Sequence, residues 1–386
     1  MSTSSPPKQT QPGQTQLWAY MQLVRLPNVF TAIADIALGA LVVFGLPGHS
    51  LRLLPFVLLV LASSLLYCSG MVWNDYFDVE QDERERPFRP IPSGRVSPNQ
   101  AFWFATILMV GGVALAAAVD LQTPGFRGIS TLMAVLLCGA IILYCGPFKT
   151  TPAAPFIMGL CRGLNVMLGL TVSASWVGEW SFLLASVTTL YISGVTLFAR
   201  KEAQTSDKTL LAWGATIMLF GLFLAVTIPA VVRAHVDPQG TWGETTLVMW
   251  GHLLFPYLLV AFAVYVGWPV WSAIQLPKAE TVQAAVKRCI FGLVVFDAIL
   301  ATAFVGPLGL GLVVLLVPGW YLGKWMYSTY FSMRLELAWS HQWTSRRSWT
   351  RSSARQRSKK SICSTPTGWK NRVSQTVQNS FVLKFN

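Results

Sequence analysis

Nine separate apolar runs constrain this chain more than any other feature. They occupy residues 29–46, 53–73, 101–119, 129–145, 155–177, 181–199, 210–232, 246–271 and 290–317. A helix needs about 20 apolar residues to cross the hydrocarbon core of a bilayer. Helices satisfy their own backbone hydrogen bonds there, which open strands and loops cannot do. The chain therefore reads as an all-α polytopic membrane protein. Composition supports no other class: 53% of its 386 residues are hydrophobic and 12% charged, with mean hydropathy +0.50. A soluble domain carries about 25% charged residues, so a soluble enzyme, a coiled coil and a disordered chain are excluded.

The formal net charge of +13 suggests nucleic acid or an anionic membrane surface. Its distribution argues otherwise. Eleven Lys and Arg and one acidic residue, Glu336, lie from Arg334 onward, so +10 of the total belongs to the tail. We expect residues 1–16 and 334–386 to be disordered flanks, with residues 17–333 forming one transmembrane domain and no nucleic-acid partner. The N-terminal stretch lacks the pattern of a cleaved signal peptide. Eleven basic residues follow even-numbered runs and three follow odd-numbered ones. That bias expects a cytoplasmic N-terminus in a bacterial inner membrane. The same rule disfavours a basic tail on the far side. Either the last run, interrupted at Gly306-Pro307, is miscounted, or the tail is atypical.

Six of the 16 acidic residues fall just after the second run. Asp75, Asp78 and Asp82 are spaced by three and four, which puts them on one arc of a helix with Asn74 at its border. Stacked like charges destabilise a helix unless a cation is shared. Carboxylate and amide oxygens are hard ligands suited to Mg²⁺, which usually keeps positions open for substrate phosphate. Arg84, Arg86, Arg89 and Arg95 follow in a loop stiffened by Pro87, Pro90 and Pro92. Arginines grip phosphate oxygens. Carboxylates and arginines together describe a diphosphate site bridged by metal. The alternative is a solvated, salt-bridged loop.

These residues carry a resemblance. Asn74-Asp75, Asp78 and Asp82, followed by Arg86-Pro87-Phe88-Arg89-Pro90-Ile91-Pro92-Ser93-Gly94-Arg95, resemble the first motif of the UbiA prenyltransferase superfamily. Arg25-Leu26-Pro27-Asn28 and the pair Tyr144 and Lys149 also match, over about residues 17–330. The resemblance implies a nine-helix bundle with a central cavity. It implies Mg²⁺-dependent transfer of a prenyl group from a prenyl diphosphate to a small, often aromatic, acceptor at the membrane lipids. Asp75, Asp78 and Asp82 would hold metal, and Asn28, Asn74, Arg89, Arg95 and Lys149 would bind substrate. One departure matters. After the sixth run, where the family carries a second aspartate-rich motif, only Glu202 and Asp207 stand as metal candidates, preceded by Arg200 and Lys201 as candidate anion contacts. Glu202 and Asp207 lie about 140° apart on a helix. With Met158-Gly159-Leu160-Cys161-Arg162-Gly163-Leu164-Asn165, this resembles the EboC-like branch. That branch implies an alternative: a membrane component that binds or exports a small secondary metabolite without prenyl transfer.

Polar residues inside apolar runs are few. Asn28 and Asp35, seven apart, share a face, as do Arg162 and Asn165, three apart. Either they line a cavity or they pair structurally, and Asp35 is a conceivable partner for Arg162. Asp297 is isolated and expected to be structural. The cysteines lack metal or disulfide spacing, and no residue is evident as a general base.

Overall fold

The computed structural model describes residues 16–46, 48, 50, 52–122, 128–173, 178–200, 206–236 and 246–326. These fold into helices, with no strand among the described residues. The helices are α1 (Gln16–Leu23), α2 (Val29–Gly45), α3 (Leu53–Phe77), α4 (Val79–Glu85), α5 (Pro98–Leu121) and α6 (Ile129–Cys145), then α7 (Ala154–Leu170), α8 (Ser181–Ala199), α9 (Lys208–Val236), α10 (Thr246–Gln275) and α11 (Ala279–Val305). Eight helical segments are long and apolar enough to cross a bilayer, and α6 is a shorter apolar helix. Two compact units are distinguished, Met1–Gly319 and Trp320–Asn386. In the second, residues 320–326 are helical and Lys324 lies over the Trp320 ring.

Within the first unit, neighbours in sequence are mostly neighbours in space, from α5·α6 through α10·α11, with α3 against α5. The ring is closed by α2, which packs on α3, α7 and α11. Close approach of α2 and α7 requires glycine. A Cβ added to Gly39 would lie 2.6 Å from the Gly169 carbonyl carbon, and one added to Gly169 would lie 2.7 Å from the Ile36 oxygen. Small residues let helix backbones meet where no hydrophobic driving force separates protein from lipid. Outward faces are apolar: Trp103, Ile107 and Val110 on α5, and Tyr257, Val260, Val264 and Trp268 on α10, are exposed. They follow the three-to-four-residue spacing of one helix face turned to lipid.

Local signals set the helix ends. Ser97 and Gln100 form a reciprocal capping box, with Pro98 in the first turn of α5. Asp120 of α5 caps α6 from outside, accepting from Ser130 N at 3.0 Å, Thr131 N at 2.8 Å and Thr131 Oγ1 at 2.7 Å. The first four N–H groups of a helix have no intrahelical partner, so this carboxylate replaces water.

The apolar runs differ from the helices mainly at α3 and α11. The second run ends at residue 73, but α3 continues to Phe77 and carries Asp75. The ninth run begins at residue 290, but α11 starts at Ala279. Its first turns are polar on average, yet Val282, Ala285, Val286 and Cys289 are buried on one side. A mean over a window averages that stripe away. The helix ends where the sequence suggested, at Gly306-Pro307, and a 3-10 segment, Gly306–Leu315, follows.

Candidate active site at the mouth of the bundle

At the end of α3, Trp73 packs edge-on against Tyr76 and Phe102 and stacks with Phe77. Asp78 N still donates to Asn74 O at 3.1 Å, and Asp82 N to Asp78 O at 2.8 Å. Helical register therefore persists from α3 into α4, and the arc read from the spacing holds in three dimensions. Asp75 and Asp82 are buried and Asp78 is half-buried.

Cations meet these carboxylates from three other segments. Arg89 Nη1 donates to Asp75 Oδ1 at 3.1 Å and to Asp82 Oδ2 at 2.5 Å. Arg25 Nη2 donates to the same Asp75 oxygen at 2.8 Å. Lys149 Nζ, from the turn after α6, donates to Asp78 Oδ2 and, at 2.7 Å, to Asn74 Oδ1. The proline-rich loop holds Arg89 in place. Val96 N donates to Pro90 O at 3.1 Å, Ser93 N to Arg89 O at 3.0 Å, and Ile91 and Val96 are buried beneath.

Arg95 acts within that loop. Its guanidinium donates to Ser93 Oγ, Gln22 Oε1 and Phe88 O, tying the loop to α1. Arg25 was not among the residues expected at the site, although it opens the Arg25-Leu26-Pro27-Asn28 quartet. Its backbone is left-handed, with φ 48°, an unfavourable state for a side chain with a Cβ. Held strain of this kind clusters at functional sites. Asn28 stands at the N-cap position of α2 without a side-chain capping bond, and Thr31 Oγ1 donates to its carbonyl at 2.8 Å.

Below the carboxylates a cavity of about 170 Å³ descends between α2, α3, α6 and α7. Arg25 and Asn74 line its mouth. Tyr67, Met71, Tyr144 and Met158 line its walls, and Ser63, Arg162 and Asn165 its floor. Ser63 and Asn74 are eleven residues apart on α3, about 16 Å along the axis. At the floor both readings hold together for Arg162 and Asn165, while Asn28 and Asp35 are not among the cavity's lining residues. Arg162 and Asn165 face the cavity and also pair with Asp35. Arg162 Nη2 donates to Asp35 Oδ1 at 3.0 Å, and Asn165 Nδ2 to Asp35 Oδ2 at 2.9 Å. Asp297 of α11, isolated in sequence, lies against Asp35.

After α8, Arg200 and Asp207 are described. Arg200 is exposed and donates to Thr150 O at 2.7 Å, next to the turn that carries Lys149. Asp207 is exposed and accepts from Thr209 N at 2.9 Å, at the start of α9. Lys201 and Glu202 lie outside the described residues. Among the described residues no three His, Cys, Asp or Glu side chains are gathered to enclose a metal ion.

Mg²⁺ does not require such an enclosure, since one or two carboxylates plus substrate phosphates hold it. Asp75 and Asp82 fit that pattern. Both are buried, both are hard oxygen donors, and both reach one shared positive centre, Arg89 Nη1. Asp78, Asn74 and Lys149 form a second polar set on the adjoining turn.

The described helices thus place a largely apolar cavity beneath paired carboxylates and basic side chains. The UbiA prenyltransferase family model matches residues 29–295, and the chain belongs to that family. It is 32% identical to the digeranylgeranylglyceryl phosphate synthase of Methanopyrus kandleri, over 71% of this chain and 89% of that one. It is 35% identical to the synthase of Saccharolobus solfataricus, over 35% of this chain and less than half, 44%, of the relative. A solved digeranylgeranylglyceryl phosphate synthase structure superposes with TM-score 0.55 and 20% identity, covering 75% of this chain and 99% of that one. A UbiA homolog from Archaeoglobus fulgidus, bound to DMAPP and Mg²⁺, superposes with TM-score 0.52 and 15% identity, over 76% and 99%. These superpositions establish a shared fold.

Proposed function

We propose that the chain is an intramembrane prenyltransferase that uses Mg²⁺ to transfer a prenyl group from its diphosphate to a small acceptor bound deeper in the cavity. The observation that carries this reading is the convergence of Asp75 and Asp82 on one cation at the mouth of an apolar cavity. In this reading Asp75 and Asp82 hold Mg²⁺, with Asp78 alongside. The metal supplies charge neutralisation at the leaving diphosphate. Arg25, Arg89 and Lys149 exchange their carboxylate partners for diphosphate oxygens, binding and orienting the head group. Tyr67 and Tyr144 border the path of the reacting carbon, where aromatic faces favour positive charge. The apolar walls hold the chain and exclude water from a reactive carbon. The mouth faces the cytoplasm, as the distribution of basic residues implies.

The test is binding and turnover with purified protein in lipid nanodiscs. Wild type is expected to bind geranylgeranyl diphosphate or DMAPP in Mg²⁺ and to bind it more weakly in EDTA, while Asp78→Ala binds more weakly in Mg²⁺. Absence of Mg²⁺-dependent binding by the wild type would sink this reading. Labelled-isoprenoid turnover then separates transfer from the retention or export that the EboC-like resemblance implied.

A further inference from the structure

The cavity floor is built around a balanced charge. Arg162 lines the cavity from α7, and its Nη2 is committed to Thr31 O at 2.7 Å and Asp35 Oδ1 at 3.0 Å. Its Nε is buried with no acceptor among the described residues. Asn165 has no donor left: Nδ2 donates to Ala32 O and Asp35 Oδ2, while Oδ1 accepts from Ser63 Oγ at 2.7 Å. Asp35 is fully buried behind both and does not line the cavity. Asp297 is fully buried, and neither of its oxygens has a hydrogen-bond partner among the described residues. A charged carboxylate without a partner inside an apolar bundle is not tenable. Asp35 therefore carries the one negative charge at the floor, which Arg162 balances.

From this charge count we propose that Arg162 orients the acceptor, and that the floor selects a neutral oxygen (carbonyl, phenol or alcohol) over a carboxylate. The inference rests on the transferase reading and deepens it by naming the acceptor's chemistry. A neutral oxygen gains the uncommitted Nη1 donors of the guanidinium and leaves the floor neutral. A carboxylate gains the same donors but adds a second anion, with Arg162 already paired to Asp35. Asp35 and Asn165 are positioning residues in this scheme: they fix the guanidinium and set its net charge. The arrangement also accounts for a costly set of ionisable groups so far from the mouth.

The experiment uses two probes with the same ring, para-hydroxyacetophenone and para-hydroxybenzoate, titrated into the full chain in nanodiscs by calorimetry. Wild type is expected to bind the ketone at least about tenfold more tightly than the carboxylate. Arg162→Met is expected to lose about tenfold in ketone affinity while keeping its Mg²⁺-dependent affinity for inorganic diphosphate, which docks at the mouth. Asp35→Asn combined with Asp297→Asn leaves Arg162 unbalanced and is expected to reverse the preference toward the carboxylate. Packing alone would not produce that reversal. Equal or tighter carboxylate binding by the wild type, or no ketone binding at all, overturns the proposal without any variant. Unchanged ketone affinity in a monodisperse Arg162→Met also overturns it. Failure of the transferase reading would show separately, as loss of Mg²⁺-dependent diphosphate binding by the wild type.

Discussion

Replacing Asp75 with Asn keeps the shape of the side chain and removes one charge from the mouth. Asp75 Oδ1 accepts from Arg25 at 2.8 Å and from Arg89 at 3.1 Å. Diphosphate binding without metal must pull these guanidinium groups away from the carboxylate. A hydrogen bond to a charged group contributes about 1.5–3 kcal/mol. The Arg25 side chain is 31% exposed, so solvent screening places the value at the low end. About 1.4 kcal/mol corresponds to tenfold in affinity. Asp75→Asn is therefore expected to bind geranylgeranyl diphosphate about tenfold more tightly in EDTA than the wild type does. In Mg²⁺ the sign reverses, because the metal has lost one of its two buried carboxylates. The ratio of dissociation constants with and without Mg²⁺ reports both effects and cancels general damage to the cavity. It is expected to shrink at least about tenfold. Calorimetric titration in nanodiscs, with and without EDTA, measures it directly. An unchanged ratio would refute the argument that Asp75 exchanges arginine for metal.

Other expectations test the scaffold and the second polar set. Gly39→Ala places a methyl group 2.6 Å from the Gly169 carbonyl carbon, and over-packing against backbone costs about 1–3 kcal/mol. It should lower the melting temperature in detergent and weaken ketone binding at the floor; an unchanged melting temperature would contradict the close crossing. Asp120→Ala strips the cap from Ser130 N and Thr131 N and should cost about 1–3 kcal/mol of stability. Diphosphate affinity should be unaffected, and a loss of affinity at full stability would show that α6 is coupled to the mouth in another way. Lys149→Met leaves Asp78 without its lysine partner and should weaken diphosphate binding in Mg²⁺ about tenfold. Wild-type affinity in that variant would remove Lys149 from the site.

What the sequence determined by itself was the class of the chain and the identity of its charged mouth. Bilayer thickness and backbone hydrogen bonding act on any apolar run of sufficient length, so the spans need no tertiary information. The Asp75, Asp78 and Asp82 arc is equally local, because helical rotation alone puts residues three and four apart on one side. The partners of those carboxylates were a different matter. Arg25 lies 50 positions before Asp75, and Lys149 lies 71 positions after Asp78. No local rule selects among the chain's many basic residues. Arg95 and Arg89, six apart in one proline-rich loop, looked equivalent until folding turned one toward the carboxylates and the other toward Gln22. The floor was partly legible: spacing put Arg162 beside Asn165 and allowed Asp35 as a partner. Packing of α2 against α7 and α11 made both roles of Arg162 true at once and brought the apparently isolated Asp297 to Asp35. Helix periodicity is local and can be read along the chain, whereas the meeting of helices depends on where glycines permit contact, and only the tertiary structure decides that.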